Sequence, residues 1–142
     1  MKLLGKIIGI MLVVFGCFTC HESDDAILVP SGTWHYRSYN SKNEKIVEGW
    51  FDMESDSAAQ ITGEWHFKKI GNPQNIGPQV GDGILVGGSQ TDTLWLNLQP
   101  QYKDNNLFLR GILKNGCYQG TWAWISFTGV TAQGTFKAEY ED

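Results

Sequence analysis

Apolar and polar residues alternate along the chain from residue 31 onward, in runs that begin about every 10–14 residues and are separated by turn-forming residues. Alternation with a period of two places successive side chains on opposite faces of a β-strand. No helical periodicity of useful length lies between the runs. The pattern therefore predicts an all-β domain of eight strands, at 33–39, 46–53, 59–68, 83–88, 93–99, 107–114, 118–127 and 131–140.

The strand order and the connections predict a barrel with two unlike ends. Eight strands in sequence order close most naturally as an antiparallel up-and-down barrel, which leaves no unpaired strand edge. A two-sheet sandwich is the alternative. The turns at 55–57, 89–92 and Asn115-Gly116 are short, whereas the links at 69–82 and 100–106 are long. Because successive loops of a meander alternate between its ends, we expect one closed end and one open mouth.

Glycine-x-aromatic triplets suggest how the interior is built. They occur at 32–34, 63–65, 120–122 and 134–136. Alternating small and bulky residues suit the tapering interior of a small barrel. Either the aromatic side chains fill the core, or the glycines leave room for one small ligand. If there is room, the candidate ligand-binding residues are Tyr36, Trp65, Phe67, Trp122 and Trp124.

The N-terminus predicts export. Lys2 and Lys6 flank the start of an apolar stretch at 7–15, which is too short for a bilayer span of roughly twenty residues. Residues 1–16 therefore read as a cleaved signal peptide. Val14-Phe15-Gly16-Cys17 resembles the bacterial lipobox, and this resemblance implies that Cys17 is lipidated. Cys20 is the alternative lipid site, and an ordinary secretory signal or an uncleaved anchor is the alternative to lipidation.

The resemblance to lipoproteins implies a lipidated tether at 17–30, and the strand pattern that follows it predicts a barrel domain at 31–142. It places the chain in the cell envelope, lipid-anchored to the outer membrane on its periplasmic face or at the cell surface. Removing residues 1–16 leaves 9 basic and 15 acidic residues, a net charge of 9 − 15 = −6. An acidic domain without a basic stripe argues against nucleic-acid binding. Cys117 is then either a free thiol or a disulfide partner of Cys20.

Gly32-Thr33-Trp34 at the head of an eight-stranded meander resembles the opening of the calycin barrels, which include lipocalins and avidins. The resemblance implies that Trp34 plugs the closed end, in lipocalins often beneath a basic residue, for which Arg110 and Lys137 are candidates. Avidins place an asparagine where this chain has Tyr36 and a tyrosine where it has Trp65. These departures make biotin an unexpected ligand.

No catalytic or metal signature stands out. His21, His35 and His66 lack the spacing of a metal site, and Ser126 lies outside any nucleophile-elbow motif. His35 and His66 are expected to face outward. The sequence therefore predicts a protein that is not an enzyme and has no metal or cofactor.

Two functions remain open. One is binding of a small apolar or aromatic ligand inside the barrel. The other is a protein-binding module, such as an inhibitor of a secreted protease or lysozyme, acting through loop 69–82 or the outer face at 123–127. That face is apolar at Ala123, Ile125 and Phe127, so it either binds a partner or a second copy, or is covered by residues 26–29.

Overall fold

The computed structural model describes residues 27–142, which form eight β-strands in a closed antiparallel barrel. Each strand pairs with its neighbours in sequence, and the last strand closes the barrel against the first. The predicted up-and-down barrel is confirmed. The strands are β1 (Gly32–Tyr39), β2 (Lys45–Ser55), β3 (Gln60–Lys69), β4 (Gly81–Gln90), β5 (Thr93–Asn97), β6 (Asn105–Lys114), β7 (Cys117–Ser126) and β8 (Gly129–Tyr140).

The predictions for the signal peptide, for Cys17 and for the front of the tether lie outside the described residues. So does any pairing of Cys20 with Cys117. No helix within residues 27–142 is long and apolar enough to cross a membrane.

Turn chemistry sets several strand ends. Asn115 and Gly116 have φ angles of 52° and 69°, as a tight hairpin turn requires, and this predicted turn is confirmed. β5 ends at Asn97, two residues earlier than predicted. The Asn97 side-chain oxygen accepts a hydrogen bond from the Gln99 backbone N–H at 3.0 Å, and this local bond turns the chain away from the ladder.

The two ends of the barrel differ as the connections predicted. The closed end carries the start of β1 and the turns at 56–59, 91–92 and 115–116. The mouth carries the connections at 40–44, 70–80, 98–104 and 127–128. We call residues 70–80 the mouth loop. The β7–β8 connection at the mouth is short, unlike the other three.

The core fills the barrel between the two ends. Trp34, Trp65 and Trp122 are almost completely buried on the inner faces of β1, β3 and β7. Leucines from β5, β6 and the residue after β5 complete the opposite side, and they are Leu94, Leu96, Leu98, Leu107 and Leu109. Removing this apolar surface from water is the main force that closes the barrel.

The closed end is sealed by apolar groups. The Trp34 ring lies 5.2 Å from that of Tyr140 and 6.4 Å from that of Phe51, measured between centroids. The segment before β1 joins this core through Val29, which is buried. The Tyr140 hydroxyl donates a hydrogen bond to the backbone oxygen of Ser31 at 3.0 Å. The described part of the N-terminal segment therefore lies at the closed end, far from residues 123–127.

The expectation of a basic residue over Trp34 is wrong. Arg110 is exposed on the outer face of β6, opposite Trp95 of β5. Lys137 alternates with the inward-facing residues of β8, and its ammonium group bonds to Glu139 at 2.7 Å. Neither basic side chain is on the inner face of its strand, so neither Arg110 nor Lys137 covers the indole.

Candidate functional site

Two interior glycines, Gly83 and Gly134, do not leave the barrel hollow, because aromatic rings lie against them. A Cβ atom at Gly83 would lie 2.9 Å from Nε1 of Trp65, and one at Gly134 would lie 2.6 Å from Nε1 of Trp122. Both distances are shorter than those that real Cβ atoms make, so the indole ring can occupy its place only because each position is a glycine. Gly83 and Gly134 therefore let large rings pack inside a narrow barrel, whereas a Cβ atom at Gly63 or Gly120 would meet the backbone of the neighbouring strand.

Tyr36 lies at the centre of an aromatic cluster inside the barrel. Its ring stacks on Phe67 with centroids 4.2 Å apart and lies 5.9 Å from Phe136 and 6.2 Å from Phe51. Trp65 lies 5.0 Å from Phe67. These separations are those of packed aromatic pairs. Three of the sequence-predicted residues, Tyr36, Trp65 and Phe67, are thus in direct contact.

The other two predicted residues lie elsewhere on β7. Trp122 is 1% exposed, like Tyr36, Trp65 and Phe67, and its indole N–H donates to the Tyr39 backbone oxygen at 2.9 Å. Trp124 lies near the mouth and is only partly buried. The predicted set is therefore a central cluster of three rings and two tryptophans nearer the mouth.

The mouth loop occupies the mouth through Gln79, which is 0% exposed. Its side-chain oxygen accepts hydrogen bonds from the Tyr36 hydroxyl at 3.0 Å and from the Ser38 hydroxyl at 2.9 Å. Its side-chain nitrogen donates to the Ile76 backbone oxygen at 2.7 Å. Burial raises the pKa of Tyr36 far above its ordinary value, so the phenol keeps its proton and remains a donor.

A second contact holds the mouth loop against the end of β7. Gly77 has a φ of 63°, and a Cβ atom there would lie 2.6 Å from Cγ of Trp124. The Trp124 indole N–H donates to the Asn105 side chain at 2.8 Å. Only glycine combines this backbone conformation with such a close approach. The expected open mouth is therefore filled by the chain's own loop.

The outward part of the mouth loop forms a ridge between two depressions. One depression lies between the loop, the β1–β2 connection and the start of β8, and the other lies between the loop, Asn105 and Trp124. The same end exposes large apolar side chains. These side chains are Val80, Tyr102, Phe127 and Val130. We call them, together with the exposed part of the loop (71–75), the mouth surface.

The apolar face predicted at 123–127 is only partly exposed. Ala123 and Ile125 are half-buried, whereas Phe127 is 85% exposed beyond the end of β7. No described residue of the N-terminal segment covers it, because that segment joins the core at the other end of the barrel. Phe127 therefore belongs to the mouth surface.

The outer wall of β8, β1, β2 and β3 is charged. Glu48 lies between Lys45 at 2.9 Å and Lys68 at 3.3 Å. Hydrogen bonds from these two ammonium groups hold the pKa of Glu48 below its ordinary value. Glu139 pairs with Lys137 and Arg37 in the same way. Exposed pairs of this kind contribute little stability.

The two described histidines face outward, as predicted. His35 lies 3.2 Å from the carboxylate of Glu141, and His66 stacks on Trp50 with centroids 5.9 Å apart. Across residues 27–142, no group of three or more histidine, cysteine or acidic side chains is arranged to hold a metal ion. The Cys117 side chain is half-buried at the start of β7.

The chain matches no protein-family model, no curated protein and no solved structure.

Ser38 and Gln79 are the site residues that sequence reasoning missed. Ser38 follows Trp34 and Tyr36 at spacings of two, so the alternation already placed it on the inner face. Gln79 had no such signal, because it lies in a loop where side-chain direction has no fixed period.

Proposed function

We propose that this chain is a non-enzymatic cell-envelope lipoprotein, anchored through Cys17, that works as a protein-binding module through its mouth surface. The filled interior supports a role at the surface, because packed rings occupy the space that a ligand would need. The lipid tether enters at the closed end, so the mouth surface points away from the membrane to which the lipid is attached.

The fixed conformation of the mouth loop is the observation that carries this proposal. Gln79 and Gly77 hold one end of the loop inside the barrel, while residues 71–75 stay largely exposed. A loop that is ordered before binding loses little conformational entropy when a partner docks. Long loops on a rigid scaffold are also where binding residues concentrate.

The shape of the mouth surface favours a partner with a concave site. The ridge at 74–75 stands between two depressions, and Tyr102 and Phe127 add exposed aromatic area at the same end. Aromatic side chains are frequent anchors of protein interfaces. A secreted hydrolase such as a protease or lysozyme, with its active-site cleft, is the partner class that this shape suits.

The test compares variants of the mouth surface with a variant of the outer wall. Gln74→Arg changes the ridge, Phe127→Asp changes the neighbouring hairpin, and both positions are exposed. Trp50→Ala on the charged wall is the control. Partners crosslinked in intact cells are identified, and their affinity is then measured with purified proteins.

We expect both mouth variants to weaken binding by about tenfold or more, which is the loss of one interface anchor, and the control to bind like the parent. A partner that binds all three variants equally would contradict the role of the mouth surface. Inhibition of lysozyme and of secreted proteases is measured in parallel.

The second candidate function is binding of a small apolar or aromatic ligand inside the barrel, at Tyr36, Trp65, Phe67, Trp122 and Trp124. One observation favours it. The Tyr36 and Ser38 hydroxyls both donate to a loop residue at the mouth, so withdrawal of the loop would uncover them together with the Phe67 ring.

Native mass spectrometry after gentle purification tests this second candidate, together with titration by N-phenyl-1-naphthylamine, an apolar fluorescent probe. The Gln79→Ala variant loosens the loop, so we expect it to bind the probe more tightly than the parent protein does. If neither protein carries a ligand or binds the probe, the barrel is only a scaffold.

A further inference from the structure

The outer wall of β4, β5 and β6 carries an exposed tryptophan that lies flat on the sheet. Trp95 is 43% exposed. A Cβ atom at Gly88, its neighbour on β4, would lie 3.1–3.2 Å from Nε1, Cε2 and Cζ2 of the indole. Gly88 is buried although it faces outward, because the ring covers it. One face of the indole thus rests on the glycine and the other is open.

Two depressions flank this ring, and each is lined by hydrogen-bonding and by apolar side chains. One, of about 730 Å³, is lined by Gln90, Asp92, Thr93 and Arg110 together with the apolar Phe108 and Leu109. The other, of about 570 Å³, is lined by Gln60, Thr62 and Gln90 together with the apolar Ala58, Ile61 and Val86. Both volumes lie in the range of about 300–1,000 Å³ that ligand sites occupy. Trp95 is the floor that the two depressions share.

Arg110 is the charged group of this site. It is directly opposite Trp95 in the β5–β6 ladder and is exposed. It forms no salt bridge with any acidic residue of the described chain. Asp92 accepts a hydrogen bond from the neighbouring Thr93 hydroxyl at 3.3 Å. Donors and acceptors therefore both stand beside the open face of the ring.

Trp50 provides a comparison on the other wall, where it lines a depression of about 600 Å³ with charged side chains. It is also a partly exposed outward-facing tryptophan, at 38%. However, His66 from β3 stacks on it, and the charges of its wall are joined in salt bridges, such as those of Glu48. Its ring is engaged by the protein's own side chain, whereas that of Trp95 rests on a glycine and leaves its outer face open.

We propose that Trp95 and the polar side chains around it form a binding site for a saccharide. The C–H face of a sugar ring carries slight positive charge and suits the negative face of an indole. Its hydroxyl groups lie around the edge, where Arg110, Asp92 and Gln90 offer both donors and acceptors. A hydrocarbon chain would contact the ring and the apolar lining but would leave these polar side chains without a partner, whereas a sugar ring has an apolar face and a polar edge. The site is on the side of the barrel and is independent of the mouth surface.

The experiment uses the full-length protein in a detergent without sugar head groups. It is titrated with chitohexaose, cellohexaose, maltohexaose and soluble peptidoglycan fragments, with tryptophan fluorescence as the readout, and is then screened on a glycan array. We expect saturable binding of at least one saccharide, and we expect Trp95→Ala to weaken it by about tenfold or more. Trp95→Phe should retain part of the binding.

Two further variants make the test specific. Gly88→Val keeps the indole but pushes it off the sheet, so it should weaken binding as well. Trp50→Ala removes a similarly exposed indole from the other wall and should leave binding unchanged. Circular dichroism of each variant excludes unfolding as the cause. Absence of binding across the array, or binding that survives Trp95→Ala, would overturn the proposal, and so would a protein partner that is lost with Trp95→Ala.

Discussion

The barrel is closed at both ends, but by different chemistry. At the closed end, Trp34 packs against Phe51 and Tyr140 inside an apolar layer. At the mouth, a loop residue, Gln79, reaches in and bonds to two hydroxyl groups. The first seal is made by residues of the strands themselves, and the second by a segment that could leave without breaking a strand pairing.

This difference indicates which end is structural and which end can change. The apolar side chains at the closed end gain no compensating interaction with water, so opening that end exposes their whole buried surface without a return. A hydrogen-bonded seal exchanges its bonds for bonds to water, and the net cost is about 0.5–1.5 kcal/mol for each bond. We therefore expect local opening at the mouth and only global unfolding at the closed end.

The largest expected effect is at the closed end. Trp34→Ala removes a completely buried indole and should lower the free energy of unfolding by about 3–5 kcal/mol. Denaturant unfolding followed by circular dichroism measures this. Trp50→Ala is the matched control, and its partly exposed indole should cost about 1 kcal/mol or less. Equal losses for the two variants would mean that Trp34 does not seal the end.

The mouth should respond less in stability and more in local motion. Gln79→Ala leaves the Tyr36 and Ser38 hydroxyls without their acceptor and should cost about 1–3 kcal/mol. Hydrogen exchange should accelerate in the mouth loop while the strands stay protected. Gln74→Ala, an exposed change in the same loop, is the control. If exchange increases equally at both ends of the barrel, Gln79 stabilises the whole fold and is not a local latch.

The two ends also differed in how well the sequence predicted them. That Trp34 faces inward followed from the alternation in β1, and that it plugs the closed end was implied by the resemblance to calycin barrels. The filling of the mouth did not, because the direction of Gln79 depends on how an eleven-residue connection, 70–80, folds back. The sequence also did not show whether the interior glycines leave a cavity or lie under aromatic rings. It gives the spacing of residues along one strand, but it does not show which indole extends across to a glycine on another strand.

A smaller difference concerns two tryptophans inside the same core. Nε1 of Trp34 is buried and has no hydrogen-bond partner among the described residues, whereas that of Trp65 donates to the Leu98 backbone oxygen at 2.8 Å. Replacement by phenylalanine removes an unpaired donor at Trp34 and a paired one at Trp65. Trp65→Phe should therefore be the more destabilising, by about 1 kcal/mol. Thermal and denaturant unfolding of the two variants test this order. The reverse order would mean that Nε1 of Trp34 has a hydrogen-bond partner of its own.

The smallest effect at neutral pH, and one that grows with pH, concerns the tyrosine beneath Gln79. Burial raises the pKa of both Tyr36 and Tyr118 in the folded barrel. A tyrosine in the unfolded chain has a pKa of about 10. Below that pH, the contribution of these two neutral phenols to the stability of the folded barrel is therefore fully present. Above it the unfolded chain ionises first, and stability falls as the pH rises toward the folded values. Absorbance at the phenolate band should therefore show these two tyrosines titrating only as the barrel unfolds.

Tyr36→Phe, which costs about 1 kcal/mol near neutral pH through its lost hydrogen bond, should lose less stability than the parent between neutral and alkaline pH. If the parent and the variant decline in parallel, the phenol under the mouth loop is reached by water in the folded state, and the mouth is more open than its hydrogen bonds indicate.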